Sequence, residues 1–303
     1  MMKNEIVCGD SFDVLQKIEN DSIDACVTDP PYFIHGLDNK LWDTTIKSTK
    51  NSTIKSLSSG MKFDKEQSKQ FYDWYVKICK EILRVLKPGS FFFSFSSPRL
   101  YHRMACAVED AGFLIKDQFI WLYVKSQPKA MSLNHVIDRL KIPDSEKESL
   151  KDDLSGWKTP QLKSCHEPIV MAQKSLDGSF LDNYQKHGVG LVDTNLRVGE
   201  GMFPSNVAST QEFDEMVDRY FLVSKPGKKE KGEFNFHKTV KPVDLCTFLI
   251  SLTTRENDLV LDPFLGSGTT AVAAKQSKRN FIGIDLNPEY VTIAKQRLNE
   301  LTV

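Results

Sequence analysis

Leu259-Val260-Leu261 runs directly into Asp262-Pro263-Phe264-Leu265-Gly266-Ser267-Gly268-Thr269-Thr270, and a helical pattern follows to about Lys278. A short apolar strand, a turn with two glycines and a helix leave few architectures open. Glycine lets the backbone turn tightly and approach a ligand closely. The next strand, 281 to 284, ends in Asp285, 19 residues after Gly266. An acid there can accept hydrogen bonds from two ribose hydroxyls. Gly266 to Ala271 also fits the dinucleotide pattern G-x-G-x-x-A, and a lone G-x-G is otherwise a tight turn. Strand, glycine turn, helix, strand and acid together point to a nucleoside cofactor. Only about 40 residues follow Asp262, too few for a full dinucleotide half-fold. Asp262-Pro263-Phe264 also stands between strand and glycines, and a carboxylate there suits a cationic amine better than a pyrophosphate. S-adenosylmethionine has a ribose, an ammonium, a sulfonium and no phosphate.

A second turn interrupts a strand near the other end. Residues 23 to 28 read as a buried strand, stopped by Asp29-Pro30-Pro31-Tyr32 because proline cannot donate to a ladder. Alone, Asp-Pro-Pro is a rigid turn. At the end of a buried strand it lies where α/β proteins place ligand sites. An aromatic exocyclic amine is a poor nucleophile because its lone pair is delocalised. Asp29 and the Pro30 carbonyl can accept its two hydrogens and draw the nitrogen toward sp³, a preorganised arrangement. Tyr32 can stack on a base taken out of a duplex.

Around these turns the chain alternates strand and helix. A strand at 5 to 8 ends at Gly9-Asp10, and Ser11 is read as the cap of a short helix. Residues 34 to 65 are polar and read as a long loop. Phe71, Trp74, Tyr75, Ile78, Ile82, Val85 and Leu86 recur at helical spacing, with Pro88-Gly89 as the stop. A buried strand follows at 91 to 95, then a helix opened by Ser97-Pro98 and closed by Gly112, then a strand at 113 to 124. Residues 126 to 165 hold two weak helices, 169 to 172 a short strand, and 175 to 235 read as irregular. Helices are expected from Pro242 to about Thr253 and from about Pro288 to Leu301. Alternation at both ends predicts an α/β fold with a mostly parallel sheet. Three parts are expected: 1–125, a catalytic half with the 34–65 loop; 126–235, an insertion with a core strand near 168–173; and 236–303, a cofactor half.

Composition removes other classes. With 303 residues, 40% hydrophobic and 26% charged, the chain is neither fully disordered nor collagen-like. Six cysteines without a C-x-x-C pair read as reduced and mostly buried in a cytosolic protein. Six histidines without ligand spacing give no metal site. No stretch is long and apolar enough to span a membrane. Lys+Arg and Asp+Glu are both 40, which argues against a uniformly basic coat. The zero total conceals patches. Residues 44 to 69 hold six basic and two acidic groups, and 219 to 241 hold seven and two.

Taken together, the motifs resemble the DNA amino-methyltransferases in the permuted order called the beta class. Asp29-Pro30-Pro31-Tyr32 resembles the family's catalytic motif, and Asp262 to Thr270 its D-P-F-x-G-S-G-T-T cofactor loop. Gly283 to Tyr290 is similar to the following G-x-D-x-x-P-x-Y. His237-Lys238-Thr239-Val240-Lys241-Pro242 is similar to the segment before the first cofactor-side helix, and Gly9-Asp10 to an acidic turn near the cofactor's adenine. Trp121 with Lys125, and His166-Glu167-Pro168-Ile169, resemble the last two core strands. The resemblance implies a Rossmann-like S-adenosylmethionine-dependent fold with an antiparallel last strand and an inserted target-recognition region. It implies Asp285 on the ribose, Phe264 with Gly266, Ser267, Gly268 and Thr269 on the methionine part, and Thr239, Lys241 and Pro242 near its carboxylate. In that family Asp-Pro-Pro-Tyr accompanies adenine N6, and Ser-Pro-Pro-Tyr more often cytosine N4. Cytosine C5 transfer needs a Pro-Cys pair, which is absent. The expected partner is double-stranded DNA, with the two lysine-rich segments at its phosphates. A separately encoded restriction endonuclease and a monomer or homodimer fit the same reading. An RNA or protein N-methyltransferase, a nicotinamide enzyme and a DNA-binding regulator with an inert core are the alternatives.

Overall fold

A computed structural model describes residues 2–32, 65–123, 130–160, 162, 164–196, 203–209, 221–222, 226–231, 234–235 and 240–301. The described residues form nine strands: β1 (Glu5–Cys8), β2 (Ile23–Thr28), β3 (Leu86–Phe95), β4 (Leu114–Leu122), β5 (His166–Gln173), β6 (Val207–Ser209), β7 (Phe221–Leu222), β8 (Leu259–Asp262) and β9 (Asn280–Asp285). They make one sheet in the order β1-β9-β8-β2-β3-β5-β4-β6-β7. β1 to β9, β9 to β8, β8 to β2 and β2 to β3 are parallel, while β5 runs antiparallel to β3. The last two strands of the chain therefore sit between the first two. This is the permuted, mostly parallel α/β sheet the motif order implied.

Burial explains the layers. β2 is buried along its whole length, as a strand covered on both faces must be. On one face lie α1 (Ser11–Leu15), α2 (Lys65–Val85) and α3 (Tyr101–Asp110). Phe71, Tyr75, Ile78, Ile82 and Val85 of α2 line one helical stripe and pack with Leu259, Leu261, Ile282 and Ile284 from alternate sheet positions. After β7 come α8 (Val243–Thr253), α9 (Thr269–Gln276) and α10 (Pro288–Glu300). α8 contacts β2 and β3 and packs Phe248 against Phe119 of β4 at 5.9 Å. Of the expected 34–65 loop, only Lys65, which opens α2, is a described residue.

Several local expectations change. Asp10, not Ser11, caps α1: its carboxylate accepts from Phe12 N (2.9 Å) and Asp13 N (3.4 Å). The Ser11 hydroxyl instead donates to the Pro263 carbonyl at 2.5 Å. α2 ends at Val85, ahead of Pro88-Gly89, because Leu86 already pairs with Ile23. The Pro-Gly pair falls where the β2–β3 register shifts. Ser97-Pro98 lead a turn whose Ser97 carbonyl accepts from Leu100 N and Tyr101 N, and α3 itself starts at Tyr101. The region read as irregular holds α6 (Phe180–His187), with a Ser179–Asp182 capping box and Gly188 left-handed at its end, besides β6 and β7. Cys26, Cys79 and Cys246 are buried, but Cys8, Cys106 and Cys165 are exposed; all six are free thiols.

Two compact units emerge. Met1–Leu122 with Glu167–Val303 form one, and Tyr123–His166 the other. The second holds α4 (Asn134–Ile137) and α5 (Asp144–Asp153), joined by a Lys151–Asp138 ion pair at 2.9 Å. A four-residue helix, α7 (Lys228–Lys231), precedes α8. Among the described residues no helix is long and apolar enough to cross a membrane, and no cluster of side chains could hold a metal ion.

Candidate active site

β8 and β2 are parallel neighbours from which the chain departs in opposite directions, β8 leading toward β9 and β2 toward β3. Such a switch point opens a crevice at the carboxyl ends of the strands. Both motif turns begin there. The Thr28 hydroxyl donates to Asp262 Oδ1 at 2.6 Å and ties one strand end to the other.

On the β2 side, Asp29 Oδ1 accepts the Tyr32 hydroxyl at 2.6 Å, and Oδ2 pairs with the Lys241 ammonium. Pro30 is buried between them. Burial, then the negative charge of Asp29, push the Tyr32 phenol well above its usual value. It therefore stays a donor at neutral pH. Lys241 was expected beside the cofactor carboxylate. It is bound instead by two protein carboxylates, Asp29 and, at 3.3 Å, Glu167. A buried ammonium needs counter-charge. Burial alone would pull its pKa down, but Asp29 and Glu167 outweigh that and hold it above the ordinary lysine value.

On the β8 side, Asp262 is 4% exposed. Its Oδ1 also accepts Phe264 N at 3.0 Å. Burial pushes the carboxyl up to about 6, against bonds from Thr28, Thr270 and Phe264 that favour the ion. Phe264 lies 5.4 Å from Trp74 of α2. Asp285 accepts Gly266 N through Oδ2 and Asn287 N through Oδ1, both at 2.8 Å, so it holds the glycine turn open as well as facing the crevice end of β9. Burial raises its pKa, and these two bonds oppose the shift. Each carboxylate oxygen has two lone pairs, so ribose hydroxyls can still be accepted.

The glycines have different duties. Gly268 has φ +89°, and a Cβ on it would stand 2.7 Å from the Ala294 Cβ of α10. Its freedom serves helix packing, where the sequence suggested approach to a ligand. Arg297, which the motif reading missed, is buried behind the turn. It donates to the Ser267 carbonyl at 2.8 Å and the Thr269 hydroxyl at 3.2 Å. Glu230 was missed too. Its Oε1 accepts Val243 N at 2.7 Å, so the start of α8, capped by Pro242 and expected to receive the cofactor carboxylate, already holds an anion. Thr239 lies outside the described residues. Asp10 is engaged as the α1 cap.

A buried, partly uncompensated carboxylate beside a glycine turn suits a cationic amine, and a ribose acid completes a nucleoside site. The donor set fits S-adenosylmethionine. The nearby Cys246 thiol is pushed up by burial to about 12 and is no nucleophile. A nucleoside site and an amine-accepting Asp-Pro-Pro-Tyr turn on one sheet edge define an amino-methyltransferase.

Comparison with known proteins gives the same class. Residues 23–296 match the DNA methylase family of the N6/N4 type. The chain is 32% identical over 315 residues to the type II methyltransferase M.HindIII of Haemophilus influenzae, covering 95% of this chain and 93% of that protein. It is 28% identical to M2.LlaDCHI of Lactococcus lactis subsp. cremoris, covering 97% and 89%. The fold is similar to the PvuII cytosine-N4-specific DNA methyltransferase, with a TM-score of 0.59, 19% identity and coverage of 98% and 86%. The chain belongs to the DNA methylase family and is an S-adenosylmethionine-dependent DNA methyltransferase.

Proposed function

We propose that the protein methylates the exocyclic N6 of adenine at specific sites in duplex DNA, taking the base out of the helix to reach it. The observation that carries this is the Thr28–Asp262 bond, which fixes the amine-accepting turn beside the cofactor turn. The aspartate in Asp29-Pro30-Pro31-Tyr32, where the cytosine-N4 motif more often has serine, favours adenine. Asp29, Pro30, Pro31 and Tyr32 form the catalytic turn. Asp262, Phe264, the backbone of Gly266 to Thr269, and Asp285 hold the cofactor, with Asp10 near its adenine. Lys241 moves from the cofactor set to the catalytic side. Target recognition belongs to 126–235, between the 1–125 and 236–303 halves. A cytoplasmic monomer or homodimer, with a separately encoded restriction endonuclease, fits this activity.

When bound, S-adenosylmethionine supplies a methyl group on a cationic sulfur that departs as a neutral thioether. Asp29 and the Pro30 carbonyl accept the two amino hydrogens and turn the nitrogen lone pair out of the ring's π system. The amine nitrogen gives that pair to the new N–C bond and takes on the positive charge. It then releases one proton to the Asp29 carboxylate, which passes it to solvent. Tyr32, held by Asp29, offers its ring to the extruded base.

The test is transfer of labelled methyl groups to unmethylated duplex DNA, with the product base identified. N6-methyladenine is expected, abolished in Asp29→Ala while calorimetry shows cofactor binding retained. N4-methylcytosine, or label in RNA or protein alone, overturns the substrate assignment.

A further inference from the structure

Lys241 is the centre of a buried charge cluster. Its side chain is 8% exposed, and those of Asp29 and Glu167 are 23%. Its Nζ pairs with Asp29 Oδ2 and with Glu167 Oε2, and sits 5.2 Å from the Phe95 ring centroid and 5.9 Å from that of Tyr32. The three groups come from three elements. Asp29 follows β2, and Lys241 precedes α8. Glu167 reaches the same edge because β5 is antiparallel: Phe95, the last residue of β3, pairs with Ile169, so the start of β5 extends beyond the end of β3.

The charges have a consequence for the reaction proposed above, on which this inference rests. Asp29 and Lys241 alone sum to zero. With Glu167 the cluster carries one net negative charge in a poorly solvated place, where charge acts strongly. Methyl transfer moves one positive charge onto the accepting nitrogen. A neutral Asp29–Lys241 pair gives that charge little stabilisation, and a lysine held wholly by Asp29 weakens the carboxylate as an acceptor. We infer that Glu167 is a positioning residue for methyl transfer: it shares Lys241, keeps Asp29 a strong acceptor, and leaves one net negative charge beside the amine. Glu167 does not touch the reacting atoms.

The test uses the full chain with cofactor and duplexes carrying its methylation site, identified beforehand from methylated DNA. Glu167→Gln removes the charge and keeps the shape. It is expected to lower kcat by about 10–100-fold, the scale of losing one preorganised electrostatic contact. Cofactor Kd, read by calorimetry, should stay within about twofold. Preference in binding for adenine over purine, which lacks the amine, should fall relative to wild type. Glu167→Asp should recover much of the loss. The decisive variant is Glu167→Gln with Lys241→Met, which restores a net charge of −1 on Asp29 alone. It should turn over faster than Glu167→Gln, which a merely structural role would not produce. Wild-type kcat in Glu167→Gln, or a double variant no faster than the single one, overturns the inference and leaves the methyltransferase reading intact. A wild-type protein that transfers no methyl group to DNA overturns that reading, and this one with it.

Discussion

Asp262 sits where folding and binding make opposite demands. Its carboxyl is pushed up to about 6 by burial. The folded state therefore favours its protonated form, and stability is lost as pH rises from the unfolded value near 4 through 6. Above pH 6 the cost levels off at about 3 kcal/mol, from a shift of roughly two units. Asp262→Asn keeps the acceptor for Thr28 and Phe264 and removes the charge. Its Tm should exceed wild type by a few degrees at pH 7.5, and the difference should vanish toward pH 4. A cationic amine needs the ionised carboxylate. Wild-type affinity for S-adenosylmethionine should then fall below pH 6, approaching tenfold per unit, and the asparagine variant should bind weakly with only the pH dependence left by Asp285. Equal Tm for both proteins at pH 7.5 would count against the buried charge. This part of the site was legible, because motif residues are local in sequence. Glu167 and Arg297 were not. Each acts on a group 74 and 30 residues away, and no spacing rule connects residues that only the sheet brings together.

At the scale of elements, the two ends of the chain were readable because their strands and helices have a clear period. α2 shows this best, with its buried residues at helical spacing. α6 could have been found: Ser179 and Asp182 form a capping box and Gly188 closes the helix. It was hidden by the glycines around it. β6 and β7, of three and two residues, are too short to show alternation. The α9–α10 contact yields a prediction. Gly268 is left-handed, and an added Cβ would meet Ala294 Cβ at 2.7 Å and Cα at 3.0 Å. Gly268→Ala combines backbone strain of about 1–3 kcal/mol with a clash against a helix backbone. It should lower Tm and raise the cofactor Kd together, since the turn and the helix move as one. Adding Ala294→Gly relieves the clash but not the strain, so the pair should recover only part of the lost Tm. Full recovery would mean that the backbone conformation costs nothing.

At the scale of the molecule, the permuted order is the informative property. β8 and β9 carry the cofactor turns yet insert between β1 and β2, so residues near 29 and 262 become neighbours. Periodicity could predict a parallel sheet; only the motif order predicted which strands would meet. The charge balance is also rearranged. Of the cations counted in 219–241, Lys241 is spent on Asp29 and Glu167 and is unavailable to phosphate. The other segment then bears more of the proposed DNA contact. Its Lys47, Lys50, Lys55 and Lys62 lie outside the described residues, so the test is one of binding. Phosphate contacts carry no sequence information, and each releases counterions. Replacing these four lysines by glutamine should weaken binding to cognate and unrelated duplexes by the same factor. It should also flatten the plot of log K against log salt by about 0.9 for every lysine that meets a phosphate. Cofactor affinity should not change, because none of the four belongs to the cofactor set. A loss confined to the cognate duplex would make the segment a reader of bases, and an unchanged salt slope would remove it from the DNA-facing rim.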